Sequence, residues 1–255
     1  MVVMMPKFFV CSDIHSFYTP LKKALDEKGF DLNNENHWLV VCGDVFDRGG
    51  ESLDVFHFIM GLDRKIIVKG NHDILLEDCC MREFHEWYDV SNGTTTTIQD
   101  IGMAVYGRTF DECCQITWSK LARYRELLVN YFETQNYIFV HSWIPIISQN
   151  GGYCKYDEDW RSATDDRWER AMWGNPFDMH MLNLNQTGKT IVFGHWHVSA
   201  GHKMLGRCND EFDGDAIWEP CYAEGVIGID RCTAHTGAVN VIVLEDEFLV
   251  KEVFK

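Results

Sequence analysis

An α/β fold with a largely parallel sheet is the architecture this chain predicts, on two observations. Short apolar runs alternate with stretches of helical periodicity, the pattern of βαβ units. Several of those runs stop abruptly in segments rich in Asp, His or Asn, as expected where strands deliver polar groups to one edge of a sheet. No internal repeat, low-complexity tract or Pro/Ser-rich linker interrupts residues 1–255, so a single domain is expected.

Taken in order, Phe8-Phe9-Val10-Cys11 predicts a first strand that delivers Ser12-Asp13-Ile14-His15-Ser16. Leu21, Ala24 and Leu25, then Lys28 and Gly29, predict an amphipathic helix with a glycine stop. Trp38 to Cys42 predicts a buried second strand, and Ser52 a helix cap before Leu53, Phe56, Ile59 and Met60, ending near Gly61. Ile66-Ile67-Val68 is a third strand delivering Lys69-Gly70-Asn71-His72-Asp73 as a loop, with a helix expected over 74–88. Ser91 to Thr97 reads as a polar turn, and Leu121, Tyr124, Leu127, Leu128 and Tyr131 recur at the spacing of a core-facing helix. Tyr137 to Val140 ends in His141, and Thr190 to Phe193 ends in Gly194-His195-Trp196-His197. Between them, residues 149–181 are glycine-containing, charged and tryptophan-rich, an expected loop excursion near the site with Trp160, Trp168 and Trp173 as candidate contacts; packing of a loop is the equal alternative. Val226 to Ile229, Val239 to Leu244 and Phe248 to Val253 are strand-like, with breaks at 230–237 and 245–247 that suit hairpins.

Composition narrows the function classes. With 46% hydrophobic and 24% charged residues in 255, the chain has the makeup of an ordinary globular protein. A formal net charge of -16 argues against a broad nucleic-acid or anionic-membrane surface. It leaves a phosphate substrate open, because carboxylates gathered around divalent cations make a locally positive site. The ten cysteines form no CxxC pair, and Cys79-Cys80 and Cys113-Cys114 are adjacent doublets, so reduced thiols are expected, with Cys11 and Cys42 structural. Met1 to Val10 is too short and too broken by Pro6 and Lys7 for a signal peptide or membrane span, which gives a cytoplasmic expectation.

The chemistry concentrates at five strand ends: Asp13 with His15, Asp44 with Asp47, Asn71 with His72, His141, and His195 with His197. In GDVFDRG, residues 43–49, the glycines permit sharp turns while Asp44, Asp47 and Arg48 supply what a divalent metal and a phosphate require. Each block alone is as well explained by a turn, a surface ion pair or a satisfied histidine. Five successive strand ends presenting the same oxygen-and-imidazole donors are not.

The series SDIH, GDVFDRG, GNHD, VHS and FGHWH resembles the signature blocks of the calcineurin-like metallophosphoesterase superfamily, and its DRG form is similar to the phosphoprotein phosphatase branch with bacterial and phage members. Ile229-Asp230 with Thr236-Gly237 resembles the closing segment, and Asn92-Gly93 is loosely similar to an Asn-Gly segment of those members. The resemblance implies a four-layer α/β/β/α sandwich of two mixed sheets. It also implies two divalent ions, one held by Asp13 and His15, the other by Asn71, His141 and His195, with Asp44 bridging. Carboxylate, imidazole and amide oxygen together suit Mn²⁺, Fe or Zn²⁺ better than Mg²⁺. The implied reaction is in-line attack by a hydroxide bridging metals about 3.5–4 Å apart, with His72 as general acid, Asp47 raising its pKa, and Arg48 clamping the phosphate. Two departures stand out. Asn175, in Met172-Trp173-Gly174-Asn175-Pro176, occupies the place of a second phosphate-binding arginine, leaving Arg167 or Arg170 to reach in, or phosphate held more weakly. His197 matches the Gly-His-x-His of the wider superfamily and is expected as a further ligand on the Asp13 metal. The leading expectation is hydrolysis of phosphomonoesters, foremost phosphoserine or phosphothreonine in proteins. Its rivals are hydrolysis of phosphodiesters or dinucleoside polyphosphates and, from another class, a non-catalytic metal-binding scaffold.

Overall fold

The structure, a computed structural model, describes residues 5–148 and 154–249. Its elements run β1 (Lys7–Cys11), α1 (Tyr18–Glu27), β2 (His37–Cys42), α2 (Ser52–Gly61), β3 (Lys65–Val68), α3 (Asn71–Arg82), α4 (Trp87–Asn92), α5 (Thr94–Ile101), α6 (Phe110–Lys120), α7 (Ala122–Leu127), β4 (Leu128–Val129), β5 (Phe132–Glu133), β6 (Tyr137–Phe139), β7 (Ile146–Ser148), β8 (Cys154–Tyr156), α8 (Asp165–Met172), α9 (Pro176–Met181), β9 (Thr190–Phe193), α10 (Val198–Met204), β10 (Cys221–Ala223), β11 (Val226–Gly228), α11 (Thr233–Thr236) and β12 (Ile242–Glu245). One five-stranded sheet has the order β12-β1-β2-β3-β4, the other β10-β11-β9-β6-β5. In the first, β1 to β4 are mutually parallel and β12 is antiparallel; in the second, β11, β9 and β6 are parallel with antiparallel edges.

Residue alternation along the strands builds the layers. Phe8, Val10, Val40, Cys42, Ile66 and Val68 face one way and pack against Phe139, Val192 and Ile227 of the second sheet. Their neighbours Phe9, Cys11, Leu39, Val41 and Ile67 face the other way, into a core shared with Leu21, Val55, Leu76 and Ile98 of the helices. On the far side, Ile138, Ile191 and Phe193 pack against Trp168, Phe177 and Val198. Helix, sheet, sheet, helix is therefore the stacking order, the expected four-layer sandwich. Strands buried on both faces read as unbroken apolar runs, so they stood out in the sequence.

Several local expectations differ. The predicted 74–88 helix starts earlier, at Asn71, and breaks after Arg82. The polar stretch taken as a turn is the end of α4 and the first half of α5, whose Thr94 and Thr97 are buried and hydrogen-bonded. Ser52 is not a cap: its hydroxyl donates to Ser16 Oγ at 2.9 Å, and the Leu53 N–H is bonded by the Asp100 carboxylate at 2.9 Å. The helix expected through Tyr131 stops at Leu127, where the chain enters β4. Segment 149–181 contains α8 and α9 rather than loop alone, and 149–153 lie outside the described residues. The C-terminal hairpins are also not formed as expected. β11 pairs with β10, whereas β12 crosses to the other sheet and lies antiparallel to β1. Phe248 bridges Thr134, and 250–253 are outside the described residues. Among the described residues all ten cysteines are free, and no helix is long and apolar enough to cross a membrane.

Candidate active site

Five parallel strands, β1, β2 and β3 of one sheet and β6 and β9 of the other, point their C-terminal ends at one place, the edge where ligands collect in open α/β sheets. Backbone bonds knit the first two exits together: Asp13 N–H to Gly43 O at 3.2 Å, His15 N–H to Asp44 O at 3.0 Å and Ser16 N–H to Val45 O at 2.8 Å. The His195 N–H donates to Asp13 Oδ2 at 2.9 Å and the Gly194 N–H to His141 O at 2.8 Å, tying the second sheet in. Asn71 and His72 form the first turn of α3, so the free N–H of His72 donates to Asp44 Oδ1 at 3.1 Å and the positive end of the helix faces that carboxylate. Backbone strain marks the same loops. Of eleven non-glycine residues with positive φ among those described, seven are Asp13, His15, Ser16, Asp44, Asp47, Arg48 and His195. Such conformations persist where surrounding structure over-determines them, commonly at functional sites.

Two donor groups result, His15 with Asp44 and His72, and Asp44 with His141 and His195; within each, the ligand atoms lie within 4.8 Å of one another. Asp44 is common to both, its Oδ2 3.7 Å from His15 Nε2 and its Oδ1 3.4 Å from His141 Nε2. Asp13 Oδ1 stands 4.0 Å from His15 Nε2, and Asn71 Oδ1 2.7 Å from His141 Nε2. The donor set fits a pair of divalent ions. His15 and His141 each place Nδ1 3.0 Å from a backbone carbonyl, of Phe46 and Cys42 respectively. With Nδ1 carrying the proton, Nε2 keeps its lone pair toward the cluster, the arrangement that metal-binding imidazoles require.

Burial and mutual charge shape the titration of this group. Burial and the neighbouring Asp44 charge push Asp13 up to about 8. Burial would raise Asp44 as well, but the imidazoles of His141, His72, His15 and His195 hold it below the usual carboxylate range. Burial pushes His15 and His195 down to about 3. His72 goes the other way: burial opposes its charge, yet Asp44 and the hydrogen-bonded Asp47 raise its pKa. His72 Nδ1 sits 2.8 Å from Asp47 Oδ2, and its Nε2 is 3.4 Å from Arg48 Nη2.

Support for this pair comes from the Asn92-Gly93 segment and the threonines that follow it. Thr94 Oγ1 donates to Asp47 Oδ2 at 2.7 Å, and the Asp47 N–H donates to Thr97 Oγ1 at 3.0 Å. Asn92 O accepts the Arg48 N–H at 3.1 Å, and a Cβ on Gly93 would lie 2.3 Å from Arg48 N. The faint Asn-Gly signal with its trailing threonines was thus the trace of a cradle beneath the DRG turn. Asp73 accepts the Gly70 N–H and the Tyr124 hydroxyl, both at 2.8 Å, holding the third exit in place. From the closing segment, buried Asp230 lines the cleft and Thr233 Oγ1 donates to Asp13 O at 2.8 Å.

A cleft of about 610 Å³ lies over the cluster, with Arg48, Tyr88, Asn92, Trp173 and Trp196 among its walls. Several expected contacts are not in it. His197 borders the cleft, with its Nε2 hydrogen-bonded to Glu211 at 2.6 Å. Arg167 is drawn away by Asp157 at 2.5 Å and Arg170 by Asp166 at 2.9 Å, so neither replaces the missing arginine. Asn175 instead caps α9, accepting the Phe177 and Asp178 N–H groups. Trp160 and Trp168 are buried core residues packed with Tyr131; of the three expected tryptophans only Trp173 reaches the cleft.

The aligned stretches of the curated relatives are short. A symmetrical bis(5'-nucleosyl)-tetraphosphatase of Aeromonas hydrophila is 43% identical over 65 residues, 25% of this chain and 23% of the relative. Another of that name, from Thioalkalivibrio sulfidiphilus, is 41% identical over 69 residues, 27% of this chain and 25% of the relative. The chain thus matches only about a quarter of their length. Among solved structures, the cold-active protein-tyrosine phosphatase of a Shewanella species superimposes with a TM-score of 0.52 at 18% identity, over 94% of this chain and 76% of that one. A Saccharomyces cerevisiae protein serine/threonine phosphatase gives 0.51 at 13% identity, over 98% and 82%. These two likenesses concern the fold alone. The family model described as calcineurin-like phosphoesterase matches residues 6–236, nearly the whole chain and all five strand-end motifs, and the protein belongs to that family.

Proposed function

We propose that the protein is a metal-dependent phosphoester hydrolase in which water attacks phosphorus in line and His72 protonates the leaving oxygen. The observation that carries this reading is the His72–Asp47 pair at 2.8 Å, set beside an Asp44 carboxylate shared by two imidazole groups. Asp13, His15 and Asp44 would hold one divalent ion, and Asp44, Asn71, His141 and His195 the other. Bound there, the ions supply Lewis-acid charge and water of lowered pKa.

The remaining chemistry is the chain's own. Asp47 accepts the Nδ1 proton of His72, which fixes the ring, turns Nε2 into the cleft and stabilises the imidazolium. Arg48, exposed beside His72, presents a guanidinium fork to two phosphoryl oxygens. As the water oxygen bonds to phosphorus it gives up a proton to solvent, the bond from phosphorus to the leaving oxygen breaks, and that oxygen takes the Nε2 proton. No covalent enzyme intermediate is needed, and no serine or cysteine nucleophile is assigned.

Two substrate readings follow. The DRG block favours phosphomonoesters, foremost phosphoserine and phosphothreonine in proteins. Dinucleoside polyphosphates are favoured by a different observation: Tyr88, Trp173 and Trp196 line the same cleft as Arg48 and offer aromatic surface to a base. The names of the curated relatives agree with this second reading. Turnover of p-nitrophenyl phosphate with Mn²⁺ tests the mechanism, and a panel of phosphopeptide, bis-p-nitrophenyl phosphate and diadenosine tetraphosphate separates the substrates. An inactive parent, or unchanged activity in His72→Ala and Asp44→Asn, would sink the mechanism.

A further inference from the structure

The floor of the cleft is ionic and its rim is aromatic. Trp173 and Trp196 both line it while remaining 50% and 37% exposed, in contrast to Trp160 and Trp168 at 0% and 2%. The buried pair fills the core, whereas the exposed pair leaves indole surface open to the cleft. Both sit on anchored backbone. Trp173 is the residue that follows α8, and the carbonyl of the next residue, Gly174, accepts Ser142 Oγ at 2.7 Å next to His141. The Trp196 N–H donates to Gly194 O at 2.7 Å, and the indole stacks on His197 at 13° with centroids 6.2 Å apart. His197 is itself fixed by Glu211, so this aromatic wall is braced from behind.

The two indoles flank the same imidazole: Trp173 lies 6.4 Å from the His195 ring centroid and Trp196 lies 6.3 Å from it. A planar group resting on either indole is therefore one side chain removed from the donor cluster. A nucleoside polyphosphate, with a sugar and further phosphates between base and scissile bond, can rest its base on an indole while a phosphate reaches the cluster. Stacking also substitutes for the binding energy that a second arginine would otherwise contribute.

We propose that Trp173 and Trp196 form a stacking subsite for the base of a nucleoside polyphosphate whose phosphate chain reaches Arg48 and His72. The proposal rests on the hydrolase reading for its orientation, but its test does not depend on turnover. ADP and inorganic pyrophosphate share a diphosphate and differ by the adenosine, so calorimetry on the metal-loaded parent and its indole variants reads the stacking contribution. ADP is expected to bind about tenfold more tightly or better. That preference should collapse in Trp173→Ala and Trp196→Ala and largely survive in Trp173→Phe and Trp196→Phe, which keep a ring and guard against loss of fold. With diadenosine tetraphosphate and inorganic tetraphosphate as substrates, the Ala variants should lower the selectivity for the former, through KM rather than kcat. Equal binding of ADP and pyrophosphate by the parent, or a preference untouched in both Ala variants, overturns the subsite. If the Ala variants impair p-nitrophenyl phosphate turnover alone, the occupant is an aryl ester and the nucleotide assignment is wrong. Base-dependent binding without hydrolysis of any substrate would instead reject the hydrolase reading and leave the subsite standing.

Discussion

Replacing Gly70 by Ala should disable the site while leaving its donors in the chain. The backbone at Gly70, φ -105° and ψ 172°, is open to any L-residue, so the substitution carries no conformational strain of its own. Its added Cβ, however, would lie 2.1 Å from Asp44 Oδ1 and 2.5 Å from the Asp44 backbone nitrogen. Moving the oxygen out to 3.0 Å, below which real Cβ contacts are essentially never seen, takes a shift of about 0.9 Å. Asp44 is shared by both donor groups and the first turn of α3 hangs on it through the His72 N–H, so the shift disturbs both groups at once. A misplacement near 1 Å costs on the order of 10²-fold in rate, and wedging a methyl into a packed site costs about 1–3 kcal/mol in stability. The assay is kcat/KM for p-nitrophenyl phosphate with Mn²⁺, beside metal content and a denaturant melt. Gly50→Ala is the matched control, since nothing lies within 4 Å of its added Cβ. A Gly70→Ala protein that holds its metal and keeps kcat/KM within about threefold of the parent would refute the reasoning.

Three further outcomes are expected. Asp47→Asn removes a carboxylate that raises the His72 pKa; because a general acid must be protonated, activity is lost as pH rises through that pKa, and the alkaline limb of the kcat profile should move to lower pH with about a 10²-fold or larger fall in kcat. An unmoved limb would detach Asp47 from the acid. Chelation should narrow the pH range of stability. Asp13, raised from 3.8 to about 8, contributes stability that is lost as pH climbs through that window, whereas His15 and His195, lowered from 6.5 to about 3, contribute stability that is lost as pH falls through theirs. The melting temperature of the chelated protein should drop between pH 6.5 and 8, and a flat or rising one would contradict the burial argument. Glu133→Gln should destabilise by about 1–3 kcal/mol in urea melts, because Arg161 at 2.6 Å and Lys189 at 2.9 Å would be left facing a neutral amide. Burial opposes the Glu133 charge, but the two cations hold its pKa below the usual range, so its contribution is present at neutral pH and fades as pH falls through the lowered pKa.

What could be read from the chain, and what could not, divides along one physical line. β1, β2, β3, β6 and β9 are buried on both faces, so their apolar runs appear without knowledge of partners, and the polar residues directly after them mark the site. The start of α3 is hidden in the sequence because its first turn, Asn71-His72-Asp73, is occupied by groups facing Asp44, Asp47 and the Gly70 N–H. α5 carries no local helical signal because Thr94 and Thr97 are poor helix formers; their hydroxyls are committed to Asp47, a contact that exists only in three dimensions. β12 finds β1 across more than two hundred residues, a pairing that no local pattern encodes.

The same line separates the two histidines of the Gly-His-x-His turn. His195 is legible because its position follows from β9 and from its own backbone bond to Asp13. His197 is not, because its orientation is decided by Glu211, fourteen residues further along in a segment with no recognisable pattern. Glu211 is in turn anchored through its carbonyl to Ser199 Oγ at 2.5 Å, on the helix that follows the turn. The segment therefore acts on the cleft through side chains it captures. Its Glu211 holds His197 as backing for Trp196, while Asn175, at the place expected for a second arginine, caps α9, and Arg167 and Arg170 pair with Asp157 and Asp166. The donors at the floor of the cleft are thus set by strand ends, whereas at its rim Trp196 follows β9 directly and only the ring behind it depends on the distant Glu211.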